Sequence, residues 1–246
     1  MKFLNWKIQL ALALIGASAG LYLLNYLIFR DANYMVRLFL AQLGFLPISV
    51  LLVTIILNQL LAQRAKAAKL AKLNMVIGAF FSEVGQHLLK TLSTYDLHLP
   101  TFQQRVAHIS HWTKTDFAGF SQGLVEGDFR IQFQEGDLEA LRDFLVKKRD
   151  FLLRLIENPN LLEHDSFSSL LLAIFHLTEE LTHRSDLHRL AKPDREHLAN
   201  DVQRGYVSLI REWLAYMAHL QVHYPYLFSL ALRTNPFDPF ATPEIT

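Results

Sequence analysis

The sequence predicts an all-α protein, in which an N-terminal two-helix transmembrane hairpin has a long second helix leading into a cytoplasmic helical bundle. Three observations predict it. Ile8 to Phe29 carries no charged residue, Leu38 to Gln63 carries none either, and beyond Leu70 the apolar residues recur at steps of three and four. The first run, at about 1.5 Å of rise per residue, gives roughly 33 Å of helix, enough for a hydrocarbon core. The strongly apolar part of the second, Leu38 to Leu57, is of similar length. On this reading residues 1–63 are the hairpin, with spans at about 8–29 and 38–58. Residues 64–95 are a basic helical connector entering the bundle, and residues 96–246 are the bundle.

The composition narrows the function. The 246 residues are 51% hydrophobic and 19% charged, and none is Cys. Disulfides, thiolate zinc sites and Cys nucleophiles are therefore excluded. The net charge of +1 conceals an asymmetry: residues 1–72 hold eight Lys or Arg and one acid, residues 73–246 sixteen and twenty-two. An acidic bundle on a basic base makes nucleic acid an unsuitable partner and sets the base against anionic lipid.

Within the hairpin, Ala17-Ser18-Ala19-Gly20 resembles a signal-peptide cleavage site, but the apolar run continues through Leu21, Leu23, Leu24, Leu27 and Ile28. Cleavage would strand half a span, so a retained helix is expected. Lys2 and Lys7 precede the first span, and Arg64, Lys66, Lys69 and Lys72 follow the second, against Arg30 and Arg37 in the connecting loop. The positive-inside rule then places both termini in the cytoplasm of a cell (inner) membrane, with the four basic residues at the membrane surface. Gly16 and Gly20 form a small-residue pair suited to close helix approach, either onto the second span or onto another copy. Pro47 is expected to kink the second span.

The connector contains no Gly or Pro between Leu60 and Lys72, so the second span is expected to continue as helix. Leu70, Leu73, Ile77, Phe80, Val84, Leu88 and Leu92 form one stripe as far as Thr94. Short helices are expected over Thr101–Trp112 and Thr115–Val125. Phe129 to Phe133 alternates with the period of an extended segment. Three clearer helices follow. The first opens at Asp137 and stops at Asn158-Pro159, the second is capped by Asp165 or Ser166, and the third opens at Pro193 and ends before Pro225. An apolar segment at 224–232 and a tail, Asn235-Pro-Phe-Asp-Pro-Phe240, close the chain, with the two Phe residues available to dock.

Phosphate-binding glycine loops, nucleophile elbows and the HExxH pattern are missing. Eleven His stand out, nine of them beyond residue 100. On one helix His176, Glu180 and His183 share a face, and Glu180 and His183 have the spacing of metal ligands in helical bundles. Such a site requires partners from other helices, and Glu83/His87, Glu139 and Glu212/His219 do not repeat the motif. His164-Asp165, with His111 and Asp201, is a second candidate, while His197/Asp201 and His219/His223 are i,i+4 pairs.

The expected function is that of a non-enzymatic integral membrane protein. Its bundle acts as an interaction, scaffold or regulatory module, with self-association or a protein partner beside the lipid bilayer. No organic cofactor is expected. The alternative is a membrane-anchored, metal-dependent enzyme using the His/Glu positions.

Overall fold

The computed structural model describes residues 2–134, 136–159, 161 and 164–244; the side chains of residues 2–5, 67–69 and 71 lie outside the described set. The described residues form helices and connecting turns with no β-strand, in two compact units, 1–66 and 67–246.

The first unit contains α1 (Lys2–Phe29) and the first part of α2 (Ala32–Phe80). Only Arg30 and Asp31 separate them. Arg30 adopts a left-handed φ of 49°, and Asp31 Oδ1 accepts a 2.9 Å hydrogen bond from Tyr34 N, capping α2. The expected loop over residues 30–37 is thus mostly helix, because the Asp31 cap starts α2 at Ala32, five residues before the last charge at Arg37. Tyr22, eight residues before the turn, donates to Gln42, eleven after it, so the helices run antiparallel. Trp6–Phe29 and Ala32–Lys66 are each long and apolar enough to cross a membrane, and within the unit their side chains stand outward: Leu14, Ile15, Leu24 and Val53 are all more than half exposed. Pro47 is carried inside α2. Pro47 has no N–H, so the ladder bond to the Leu43 carbonyl one turn earlier is lost there.

The second unit is built around α8 (Lys192–His223). Its stripe of Val202, Tyr206, Leu209, Trp213, Met217 and Leu220 is buried, as its spacing predicts. So are Leu198, Gly205, Val207, Ile210 and Leu214 on other faces. A helix apolar over so much of its circumference must be enclosed. It packs against α3 (Gln86–Thr94), α5 (Lys114–Gly123), α7 (Asp165–Thr182) and α9 (Pro225–Arg233), while α6 (Asp137–Ile156) packs on α7. Pro193 opens α8 in its first turn, where a missing N–H costs nothing.

Between α2 and α3 the helix widens into one π turn, Phe81–Gly85. Phe80 and Phe81, three and four residues after Ile77, are both buried at its start. Gly85 makes room: a Cβ there would stand 2.5 Å from Phe81 Cδ1 and 3.0 Å from Phe80 Cε1. Leu70, expected on this stripe, is exposed; burial begins at Leu73.

Elsewhere the short helices are α4 (Leu99–Val106) and α5, the latter held by a reciprocal Thr113–Asp116 capping box. Phe129, Ile131 and Phe133 point into the core between exposed Arg130 and Gln132, as the alternation implied. The segment makes one isolated bridge, Asp96–Ile131. The cap of α7 is His164, whose Nδ1 accepts from Phe167 N at 3.3 Å, and not Asp165 or Ser166. In the tail Phe237 is buried against Phe102 and Trp213, with ring centroids at 4.8 and 5.1 Å, while Phe240 is exposed.

Glu212 is a carboxyl within the burial of α8. Burial raises its pKa above the ordinary carboxylate range, against a hydrogen bond with Ser166 and the nearby His164. The folded state therefore retains a proton that the unfolded chain has released. Its contribution is full at acid pH and falls as pH rises through the ordinary carboxylate range to the raised folded value. Glu212→Gln should accordingly gain on the wild type as pH rises, with the two melting temperatures closest near about pH 4; melts across pH read this directly. Gly85→Ala should cost about 1–3 kcal/mol, the usual penalty for overfilling a packed site, measured by denaturant unfolding followed by circular dichroism.

Candidate functional site

Helices α7 and α8 lie side by side and bring two i,i+4 pairs together. From α7 come His176 and Glu180; from α8 come His197 and Asp201. Asp201 Oδ2 stands 3.3 Å from His176 Nε2 and 3.4 Å from His197 Nε2. The Glu180 carboxylate is next, 4.0 Å from His176 Nε2 and 3.7 Å from His197 Nε2. The donor atoms of His176, His197 and Asp201 all lie within 4.8 Å of one another. The burial is graded. Asp201 is 5% exposed, and the two imidazoles are 50% and 52% exposed.

Two arginines fix the carboxylates. Arg204, one turn along α8, pairs with Asp201 Oδ1. Arg184 reaches from the end of α7 to Glu180 Oε2 at 2.6 Å and forks onto Asp194, with Nε to Oδ2 at 3.0 Å and Nη2 to Oδ1 at 2.6 Å. These hydrogen bonds hold the Glu180 and Asp194 carboxyls below their usual range. Asp194 first, then Glu180, holds the Arg184 guanidinium above its own. Asp201 Oδ2, by contrast, is buried and has no aligned hydrogen-bond donor; the two imidazole nitrogens face it without bonding geometry.

The sequence placed His176 and Glu180 on one face, and they share it. His183 does not join them. α7 ends at Thr182, and the His183 ring turns back to that end, with Nδ1 2.8 Å from Glu179 O and 3.7 Å from Glu179 Oε2. Its place is taken by His197 and Asp201 of α8, which the sequence offered only as a separate pair. Glu83 pairs with Lys148 at 2.9 Å, His87 packs on Phe144, and Glu139 faces His188 at 3.3 Å. His164 serves as a helix cap, and His108 and His111 are exposed beside Trp112.

A second feature, missed in the sequence, is a mainly apolar cavity of about 670 Å³ lined by Asn74, Gly78, Phe81, Tyr216, Tyr224 and Leu227 among others. Phe81, the first residue of the π turn, stacks on Tyr216 with centroids 5.0 Å apart. At its rim Asn74 Nδ2 lies 3.2 Å from His219 Nδ1, and burial together with His223 lowers the His219 pKa.

In the first unit a Cβ at Gly16 or Gly20 would meet nothing within 4 Å, so the small-residue pair is not used in a contact inside the chain. Arg64, Lys66 and Lys72 are exposed; the side chains of Lys2 and Lys69 lie outside the described residues.

Comparison with known proteins divides the chain in two. Residues 1–61 match the family described as MJ1433, N-terminal helical domain, and residues 69–233 match the uncharacterized protein MJ1433, C-terminal helical domain. No solved structure matches the chain. A relative from Methanocaldococcus jannaschii, described as uncharacterized protein MJ1433, is 44% identical over 234 residues, which are 95% of this chain and 94% of the relative. Identity maintained across both matched regions means that the chain belongs to the MJ1433 family along nearly its whole length.

Proposed function

We propose that the protein is an integral membrane protein whose helical bundle, residues 67–246, acts as a cytoplasmic interaction module without an enzymatic role. The observation that carries the reading is the first unit. Two helices of sufficient length are apolar on every side and leave those sides uncovered. In water, contiguous apolar surface of that extent would drive aggregation, and a bilayer is the solvent that fits it. The helices satisfy their backbone groups internally apart from the one bond lost at Pro47, and the two-residue turn adds little polar backbone to be solvated.

Arg64 and Lys66, exposed at the end of the apolar stretch and followed by Lys69 and Lys72, favour a cytoplasmic end there over the turn, which carries Arg30 and Arg37. The open face at Gly16 and Gly20 supports self-association between spans. The large apolar cavity and the well-formed core of the second unit suit a module that binds a partner.

The absence of native Cys permits single-cysteine mapping. The protein should resist carbonate extraction from membranes. A membrane-impermeant maleimide should label Asn33→Cys in intact spheroplasts and Ser110→Cys only after lysis. Extraction by carbonate would end the membrane reading, and labelling of Ser110→Cys from outside would invert the topology. Light-scattering mass in detergent should exceed that of one chain and fall when Gly16 and Gly20 are both changed to Leu; a wild-type monomer would remove self-association.

A further inference from the structure

We infer that His176, His197 and Asp201 form a binding site for one divalent transition-metal ion of the zinc class, clamping α7 to α8. Two of the three ligand-atom separations fit such an ion, and the third, between the imidazoles, is within 4.8 Å. Two ligand atoms each about 2.0–2.1 Å from a tetrahedral zinc lie about 3.3 Å apart. Asp201 Oδ2 lies 3.3 and 3.4 Å from the two Nε2 atoms. A direct charge-assisted hydrogen bond would be shorter, about 2.7–2.9 Å, and aligned. Asp201 Oδ2 has no aligned donor although it is fully buried. A buried carboxylate oxygen left without a hydrogen bond is costly, and a cation between it and the imidazoles removes that cost.

The surroundings are those of a metal site. Arg204 occupies Asp201 Oδ1 and so leaves Oδ2 as the free ligand atom. Such an orienting contact outside the ligand set is what fixes a ligating carboxylate. Glu180, anchored by Arg184, stands 3.7 and 4.0 Å from the same two nitrogens, close enough to serve as a fourth ligand or to accept from a bound water. Three carboxylates, Asp201, Glu180 and Asp194, stand against two guanidiniums, so with neutral imidazoles the locality is net anionic. The half-exposed rings give an ion a path from solvent and can close by side-chain rotation. Two imidazoles with a carboxylate select ions such as Zn²⁺ or Co²⁺ over Mg²⁺ or Ca²⁺, which take oxygen donors. Glu139 Oε1 is likewise buried without an aligned donor, 3.3 Å from His188 Nε2, but among the described residues no third ligand stands beside that pair.

The test uses the full chain in detergent, purified without a polyhistidine tag, stripped with chelator and titrated with Zn²⁺ or Co²⁺ in a non-chelating buffer. About one ion should bind per chain, and Co²⁺ should give the intense visible bands of a tetrahedral site. His176→Ala and His197→Ala, at half-exposed positions that fold without the ring, should each weaken binding by about tenfold or more, with the helical circular dichroism unchanged. His183→Ala and His223→Ala should bind as the wild type does. The inference is overturned if the stripped protein binds neither ion, if His176→Ala and His197→Ala bind as tightly as the wild type, or if the bound ion is lost with His223 instead. A merely protonated His–Asp cluster would show itself as stabilisation at acid pH with no response to Zn²⁺, which also overturns it. The site lies wholly in residues 67–246, so these outcomes are independent of the membrane reading.

Discussion

The second unit depends on burying α8 over most of its circumference. Trp213, Tyr206, Leu209, Ile210, Leu214 and Met217 are fully sealed, and no single neighbouring helix can cover that many directions. Each large apolar side chain contributes roughly 1.5–3 kcal/mol when removed from water, so enclosing this helix organises the rest. The polar groups on α8 are then recruited to hold irregular chain. Gln203 donates to Glu126 O at 3.0 Å, Arg211 to Leu124 O at 2.6 Å, and Gln221 to Trp112 O at 2.7 Å. All three carbonyls flank α5, so the side chains that leave the core fix the loops on either side of that helix.

The polar cluster is a product of the same burial. Asp201 is the first acid of α8 inside the core margin, and His197, one turn earlier, is half in solvent. α7 packs along α8 there and brings His176 and Glu180 to the same margin. A carboxylate held at the edge of an apolar core cannot be rehydrated freely, whereas the imidazoles around it can move. The burial of Asp201 is what separates this group from the exposed ion pairs elsewhere on the surface, such as Arg142 with Asp143.

Much of this was legible in the sequence, because helix phase depends on local spacing. The stripe of α8, the break at Asn158-Pro159, the start at Pro193 and the alternation from Phe129 to Phe133 all follow from residue order. What depended on neighbours was not legible. His183 lies on the face of His176 only if α7 continues, and α7 stops at Thr182. His197 and Asp201 were recognisable as a pair on their own helix, but which helix they would meet is set by packing. The π turn left no periodic signal, since Phe80 and Phe81 read as one stripe member and a neighbour. Gly85, which makes the turn possible, was the available clue.

That turn also has a bearing on how the helical path is geared. An α-helix advances about 100° per residue, so a turn that holds one extra residue offsets the sequence spacing of the stripe by one while the faces before and after it stay aligned. Leu73 and Ile77 before the turn and Leu88 and Leu92 after it all reach the core of the second unit. The turn is where the two phases are reconciled. Because the wide turn between Phe81 and Gly85 already holds one residue to spare, loss of one there is taken up by closing it to α geometry, whereas the same loss within α3 has no such slack and would rotate Leu92 away from the core by about 100°.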